Sequence, residues 1–258
     1  MQNKRVHFVY VPDPLNSGDY NSCPFDYFKN DFVEFECYRH DIRSLKRECF
    51  FPSDFVIIGG GGLFDVRDDF NENINYILNK CYRVFGWGVG FNKHHDRLIS
   101  NKINFSRFVY IGCRDYNSPY EYVPCVSCMN SVFDSFSNKI VRQIGVIENF
   151  MFPIDEFKFE KMSNMVSVEN VISFICQSET IISNSYHALY WALLLGKKVI
   201  LYNSFSSKFY GFKSPLNKYS GNIEKDLSEV RIFPSMLEEA RDLNIKYKNK
   251  VINFIRSF

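Results

Sequence analysis

The stretch Ser183-Asn184-Ser185-Tyr186-His187-Ala188-Leu189-Tyr190-Trp191-Ala192-Leu193-Leu194-Leu195-Gly196-Lys197-Lys198-Val199-Ile200 reads as one full step of an α/β fold. Residues that cap helices (Ser183 to Ser185) follow a strand expected at Glu179 to Ile182, an apolar helix runs to Leu195, Gly196 stops it, and Lys198 to Tyr202 begins the next strand. His187 falls in the first helical turn, where unpaired backbone N–H groups and the helix dipole favour an anion such as phosphate or carboxylate. An imidazole there can donate a hydrogen bond to the anion or deliver a proton to a departing group. A single histidine commonly has only a packing role, but its position after a polar strand end points to function.

Upstream, the same rhythm repeats. Val6 to Val11, Asp31 to Cys37, Phe55 to Ile58, Tyr82 to Phe85 and Phe108 to Ile111 have strand length and strand composition. Between them, Phe70, Ile74, Ile77 and Leu78 fall on one face of a helix over Phe70 to Cys81. The pattern breaks from Asn117 to Asn138 and restarts with Ile140 to Ile147. Two α/β units with parallel sheets are therefore expected, 1–135 and 136–258, with a ligand cleft between them. Pro234 to Phe258 reads as an amphipathic helix, favoured as a packing helix with a solvated basic face over a membrane-surface helix.

Composition narrows the function. With 31 Lys+Arg against 29 Asp+Glu in 258 residues, the net charge of +2 disfavours nucleic-acid binding through phosphate neutralisation. The run Val6 to Val11 is too short for a signal-peptide core, and Ala188 to Leu195 covers less than half of the ~20 residues a membrane span needs. Eight scattered cysteines read as reduced thiols of a cytoplasmic protein; Cys125 and Cys128 have metal-knuckle spacing but lack a second ligand pair. His94-His95-Asp96 imitates a metal cluster, although adjacent His side chains diverge. The excess of aromatics, 27 Phe and 16 Tyr, reads first as core and second as a stock of sugar-stacking rings, with Tyr20, Phe64, Trp87, Tyr116 and Tyr186 nearest the candidate motifs.

Three glycine loops follow expected strands: Asn16-Ser17-Gly18-Asp19, Gly59 to Gly62 (with Gly60 and Gly61 at its centre), and Gly86-Trp87-Gly88-Val89-Gly90. Such loops gather at the carboxyl edge of a parallel sheet, where α/β folds bind ligands. None fits the dinucleotide fingerprint, because Phe64 and Phe91 stand where its last glycine belongs. Asp19 could accept a proton from an acceptor hydroxyl, or simply close an Asx-turn or cap a helix. Arg114-Asp115 could supply an anion-binding guanidinium or a structural ion pair.

Taken in order, the Asn-x-Gly-Asp loop, the poly-glycine loop followed by Leu63, Trp87-Gly88, Arg114-Asp115 and Ser185-Tyr186-His187 ahead of Tyr-Trp-Ala-Leu-Leu-Leu-Gly-Lys resemble the polysaccharide pyruvyl transferase family. The resemblance implies a GT-B-like fold of two facing Rossmann-like units, acceptor side first and donor side second. It implies pyruvyl transfer from phosphoenolpyruvate to sugar hydroxyls, with no cofactor and no metal. His187 matches the family's catalytic histidine. Many members carry Arg where Ser185 stands, which leaves Arg114 and Lys208, with Asn184, Ser185 and Tyr186, to hold the donor. A metal-independent glycosyltransferase using a nucleotide-activated sugar is the alternative, and a non-catalytic glycan-binding protein the third. The acceptor would be a sugar or lipid-linked oligosaccharide, met in the cytoplasm at the inner face of the membrane through peripheral association. Its pocket would come from the loops Asp65 to Asn73, Phe91 to Asn104 and Asn117 to Ser137.

Overall fold

The computed structural model describes residues 4–135 and 139–258; Phe136, Ser137 and Asn138, where the two units were expected to join, lie outside the described residues. The first seven strands are β1 (Arg5–Tyr10), β2 (Glu36–Asp41), β3 (Phe55–Ile58), β4 (Gly61–Phe64), β5 (Arg83–Phe91), β6 (Tyr110–Cys113) and β7 (Glu121–Tyr122). They form one parallel sheet in the order β2-β1-β3-β5-β6-β7, with β4 prolonging the line of β3 along β5. A second parallel sheet holds β8 (Arg142–Glu148), β9 (Lys161–Ser163), β10 (Ser178–Ser183), β11 (Lys198–Leu201) and β12 (Asn217–Lys218), ordered β12-β11-β10-β8-β9. The expected α/β class with two Rossmann-like parallel sheets is thus observed.

Among the described residues, seven helices connect and cover the sheets: α1 (Ser17–Tyr20), α2 (Pro24–Phe28), α3 (Asp68–Lys80), α4 (Val168–Cys176), α5 (Tyr186–Leu194), α6 (Ile223–Glu229) and α7 (Leu237–Arg256). On α3, Phe70, Ile74, Ile77 and Leu78 are buried on one face, as their spacing requires. Helix α5 is buried on every side, which explains its lack of a polar stripe. Gly196 ends that step at φ +67°, a conformation glycine adopts without steric cost.

Two expectations need correction. The strand expected over Asp31 to Cys37 begins only at Glu36; Lys29–Phe32 instead forms a 3-10 turn that sinks Phe32 edge-on against Phe8 at 5.2 Å. Gly86-Trp87-Gly88 is not a cleft loop. Because β4 supplies partners beyond the end of β3 (Gly61↔Val89, Phe64↔Phe91), β5 runs on to Phe91 and carries Trp87 into the core. Trp87 faces α7, donating from Nε1 to Asn244 Oδ1 at 2.9 Å, while Tyr247 Oη donates to the Gly86 carbonyl at 2.6 Å. Helix α7 therefore packs its apolar face on the first sheet. Among the described residues no helix is long and apolar enough to cross a membrane.

Each sheet reverses its winding beside its first strand: β1 lies between β2 and β3, and β8 between β9 and β10. Loops leaving these strands meet at the carboxyl edges, where α/β sheets open a crevice. Backbone bonds from Ser17 to Asn164, Ser207 to Lys93 and Tyr116 to Gly211 tie the two sets of loops together around it.

Candidate active site

The crevice holds a cavity of about 300 Å³ lined by loops from both sheets. Its floor is the start of α5. Ser185 stands at the N-cap, yet its hydroxyl makes no capping bond, and its N–H donates to Ser183 Oγ at 2.9 Å. The expectation that the serines cap the first turn is thus not met, and the turn keeps backbone donors for an incoming anion. His187 follows, 6% exposed, its ring resting on Gly18 and its Nε2 3.5 Å from Cys125 Sγ. Burial first, then Arg114 and Lys208, push its pKa well below the usual histidine value, so the resting imidazole is neutral.

Arg114, at the end of β6, is only 2% exposed. Its guanidinium carbon lies 3.7 Å from the centre of the Tyr186 ring, a cation–π stack that aims the group along the cavity wall. The side chain runs over Gly62 and Gly90; a Cβ at Gly90 would stand 2.6 Å from Arg114 Nε. Among the described residues Nε and Nη1 have no hydrogen-bond partner, and no carboxylate pairs with the group. Asp115 turns away and accepts from the Phe91 N–H at 2.6 Å, so the dipeptide is not an ion pair. A buried guanidinium with free N–H donors is costly unless an anion completes it.

Lys208 and Asp19 face the same space. Burial and Arg114 pull the Lys208 ammonium down to about 8, with Asp19 acting against them. Its head group sits 4.6 Å from the centre of Phe205. Burial raises the Asp19 carboxyl despite the pull of Arg114 and Lys208. Asp19 Oδ2 accepts from Asn16 Nδ2 at 2.8 Å, and Asn16 Oδ1 accepts from Asn164 Nδ2 at 3.3 Å. An amide pair thus carries the orientation of Asp19 across to the second sheet.

The structure brings together Asn16, Asp19, Arg114, Ser185, Tyr186, His187 and Lys208 around the cavity, with Gly18 directly beneath His187. Gly61 lies beside Asp19 Oδ1, and the Gly60 N–H is spent on the Ser22 carbonyl at 2.7 Å. Asn184 does not line the cavity: Oδ1 accepts from the Asn149 N–H and Nδ2 donates to the Phe152 carbonyl, both at 2.7 Å, so it fastens the loop after β8. Trp87 and Gly88 are inside β5, and Phe64 is core. Tyr20 and Tyr116 are about half exposed, and neither lines the cavity. Of the expected acceptor loops, the first two contribute Val66, Arg67, Phe70, Asn92, His94 and Arg97; the third contributes nothing among the described residues.

Sequence reading missed Phe150, Met151 and Phe152, partly exposed at the cavity mouth, and Asn149 and Asn164 beside them, since a short polar-aromatic loop carries no motif. It also missed Cys125. The Cys-x-x-Cys spacing drew attention to that residue for a metal, whereas its sulfur touches the histidine; among the described residues no group of three or more His, Cys, Asp or Glu is placed to hold a metal ion.

The sequence profile of the polysaccharide pyruvyl transferases matches residues 2–207, about four-fifths of the chain. The chain belongs to the polysaccharide pyruvyl transferase family. The match spans the first sheet and the second through β11, so the pyruvyl transferase signature includes every cavity-lining residue named above except Lys208, one position beyond its end. No match was found among curated proteins. A solved structure of an uncharacterized protein from Klebsiella pneumoniae is similar at 20% identity over 77% of this chain and 84% of that one, with a TM-score of 0.48. Membership in a pyruvyl transferase family makes the protein a transferase that modifies polysaccharide.

Proposed function

We propose that the chain transfers the pyruvyl group of phosphoenolpyruvate to two hydroxyls of one sugar in a surface polysaccharide or its lipid-linked precursor, releasing phosphate. The observation that carries this reading is Arg114, buried with unpartnered N–H donors beside Lys208, His187 and the open first turn of α5. That is provision for a small molecule with two anionic groups, a carboxylate and a phosphate. Arg114 and Lys208 would take the place of the arginine that many members of the family carry at the position of Ser185. A cavity of about 300 Å³, at the lower end of ligand sites, suits a three-carbon donor better than a nucleotide-activated sugar.

The first sugar hydroxyl adds to the enol carbon and gives its proton to Asp19 as the methylene carbon gains one, so that this hydroxyl proton balances the new methyl hydrogen. The C–O bond to phosphate then breaks as His187 protonates its oxygen, and the second hydroxyl adds to the same carbon, its proton returning to His187. The product is a ketal. Asp19, with its carboxyl raised and oriented by Asn16, accepts a hydroxyl proton. Arrival of an anionic donor beside His187 stabilises the imidazolium, which protonates the departing phosphate. Arg114 stabilises negative charge throughout, in a site where burial strengthens each contact. Phe150 and Phe152 at the mouth offer ring faces to the acceptor sugar.

The test is incubation with phosphoenolpyruvate and a panel of glycosides. Phosphate release with a mass gain of one pyruvyl ketal on the acceptor is expected. No release with any acceptor, together with no thermal stabilisation by the donor, overturns the reading; stabilisation by a nucleotide sugar instead would move the assignment to a glycosyltransferase.

A further inference from the structure

His187 is backed by a chain of side chains that ends at a tryptophan. Trp191 Nε1–H donates to Ser127 Oγ at 3.0 Å, the Ser127 hydroxyl donates to Cys125 Sγ at 3.3 Å, and Cys125 Sγ stands 3.5 Å from His187 Nε2. All four residues are buried. His187 and Trp191 are four residues apart on α5 and so share a face, against which the 3-10 turn Val126–Met129 and its preceding residue Cys125 are packed. Tyr190 Oη secures that turn by donating to the Cys125 carbonyl at 2.8 Å.

The direction of the chain follows from what each group can do. An indole nitrogen only donates. Ser127 Oγ therefore receives a hydrogen bond from Trp191, and its own proton goes to Cys125 Sγ. The sulfur, already accepting, has one proton to give, and among the described residues the acceptor in reach is His187 Nε2. Burial raises the thiol pKa and lowers that of the imidazole, which agrees with a neutral thiol facing a neutral ring. A ring nitrogen that accepts a hydrogen bond carries no proton, so the single ring proton must be on Nδ1. Nδ1 has no hydrogen-bond partner among the described residues and rests against Gly18, with Arg114 and Lys208 the charged groups acting on the ring.

We propose that Cys125, aligned by Ser127 and Trp191, is a positioning residue that holds His187 in its Nδ1–H tautomer, so that the ring offers an N–H to the anion in the cavity. The identity of that anion as the donor's phosphate rests on the function proposed above; the tautomer does not.

The test is a long-range proton–nitrogen correlation spectrum of the ligand-free protein carrying nitrogen-15 histidine, at neutral pH, with His187 assigned by its disappearance in His187→Gln. Wild type is expected to show Nδ1 protonated and Nε2 bare. Cys125→Ser, whose hydroxyl can still donate, should keep that pattern. Cys125→Ala should move the ring toward the Nε2–H form that free histidine side chains prefer, and weaken binding of inorganic phosphate by roughly tenfold. An Nε2–H ring in wild type, a doubly protonated ring facing a thiolate, or a tautomer unmoved in folded Cys125→Ala overturns the proposal. If Cys125→Ala does not fold, the wild-type spectrum still decides. A wild-type Nδ1–H ring in a protein that binds neither phosphate nor phosphoenolpyruvate would refute the proposed donor and leave the tautomer standing.

Discussion

The imidazole of His187 lies on the α-carbon of Gly18, so closely that a Cβ built there would stand 2.0 Å from Nδ1 and 2.4 Å from Cγ. No positive φ is involved at Gly18, so the constraint is contact alone. Helices α1 and α5, which follow the first strand of one sheet and the third of the other, meet at this point. Gly18→Ala is expected to push the ring out of place, lowering kcat/KM by about a hundredfold while costing roughly 1–3 kcal/mol of stability. Turnover close to wild type in the folded variant would show that the ring has room to move.

Arg114 should trade stability for function. Replacing it with Met removes a buried charge whose Nε and Nη1 have no partner, while the thioether side chain can still lie on Tyr186. Urea unfolding of Arg114→Met should show stability unchanged or raised by about 1–3 kcal/mol, and calorimetry should show no binding of phosphoenolpyruvate. A variant that is destabilised by several kcal/mol yet still binds would assign the arginine to packing.

Donor affinity should fall in alkali. Lys208 has its pKa pulled to about 8, so the ammonium is present below that pH and is lost as pH rises through it. The dissociation constant of phosphoenolpyruvate should increase by up to about tenfold per pH unit above 8. Lys208→Arg, whose charge persists, should flatten this dependence while Asp19 and His187 remain as they are.

Stability should fall in acid through a residue far from the cavity. His7 is fully buried in β1, its Nδ1 2.8 Å from His40 Nε2 and its Nε2 3.0 Å from Asp54 Oδ2. Burial, then His40 and Arg5, lower its pKa from 6.5 to about 3. The unfolded chain therefore takes up a proton that the folded chain refuses. The stabilising contribution is whole above about pH 6.5 and drains away toward pH 3, at no more than about 1.4 kcal/mol per unit. Asp54, raised by burial, opposes this trend, and His40, also lowered, adds to it. Urea midpoints between pH 7 and pH 5 should fall less steeply in His7→Phe than in wild type. Equal slopes would remove His7 from the acid limb.

Asn244 pins α7 to the first sheet by accepting from Trp87 Nε1 and donating to the Pro124 carbonyl at 3.1 Å. Asn244→Leu leaves both groups buried without partners and should cost about 2–4 kcal/mol, read from thermal or urea unfolding. A loss under about 0.5 kcal/mol would mean that water or a shifted helix satisfies them.

Much of the fold was legible because parallel strands buried on both faces are continuously apolar, and helices on a sheet show one apolar stripe. Val6 to Val11, Phe55 to Ile58 and Phe70 to Cys81 are of this kind. β2 was not: its residues Glu36–Asp41 are mostly polar and partly exposed at the sheet edge, while the neighbouring Phe32 and Phe35 mark aromatic packing instead. Trp87-Gly88 misled because glycine marks close backbone approach inside a strand as readily as a loop. In the cavity, His187, Asp19 and Arg114 could be named because a motif or a strand end marks each. Asn164 and Phe150 to Phe152 could not, since their relation to the site depends on which loops face each other.

From the sequence alone came the α/β class with two parallel sheets, the family and the helix start that carries His187, all of which depend on local periodicity and short-range order of residues. Only the folded arrangement shows that among the described residues Arg114 meets no carboxylate, that Asn184 fastens a loop rather than lining the cavity, and that Cys125, 62 positions from His187, stands against its Nε2. These are relations between the edges of two separate sheets. They are set by how the sheets' carboxyl ends face one another and by where α7 returns, and no spacing along the chain encodes such a distance.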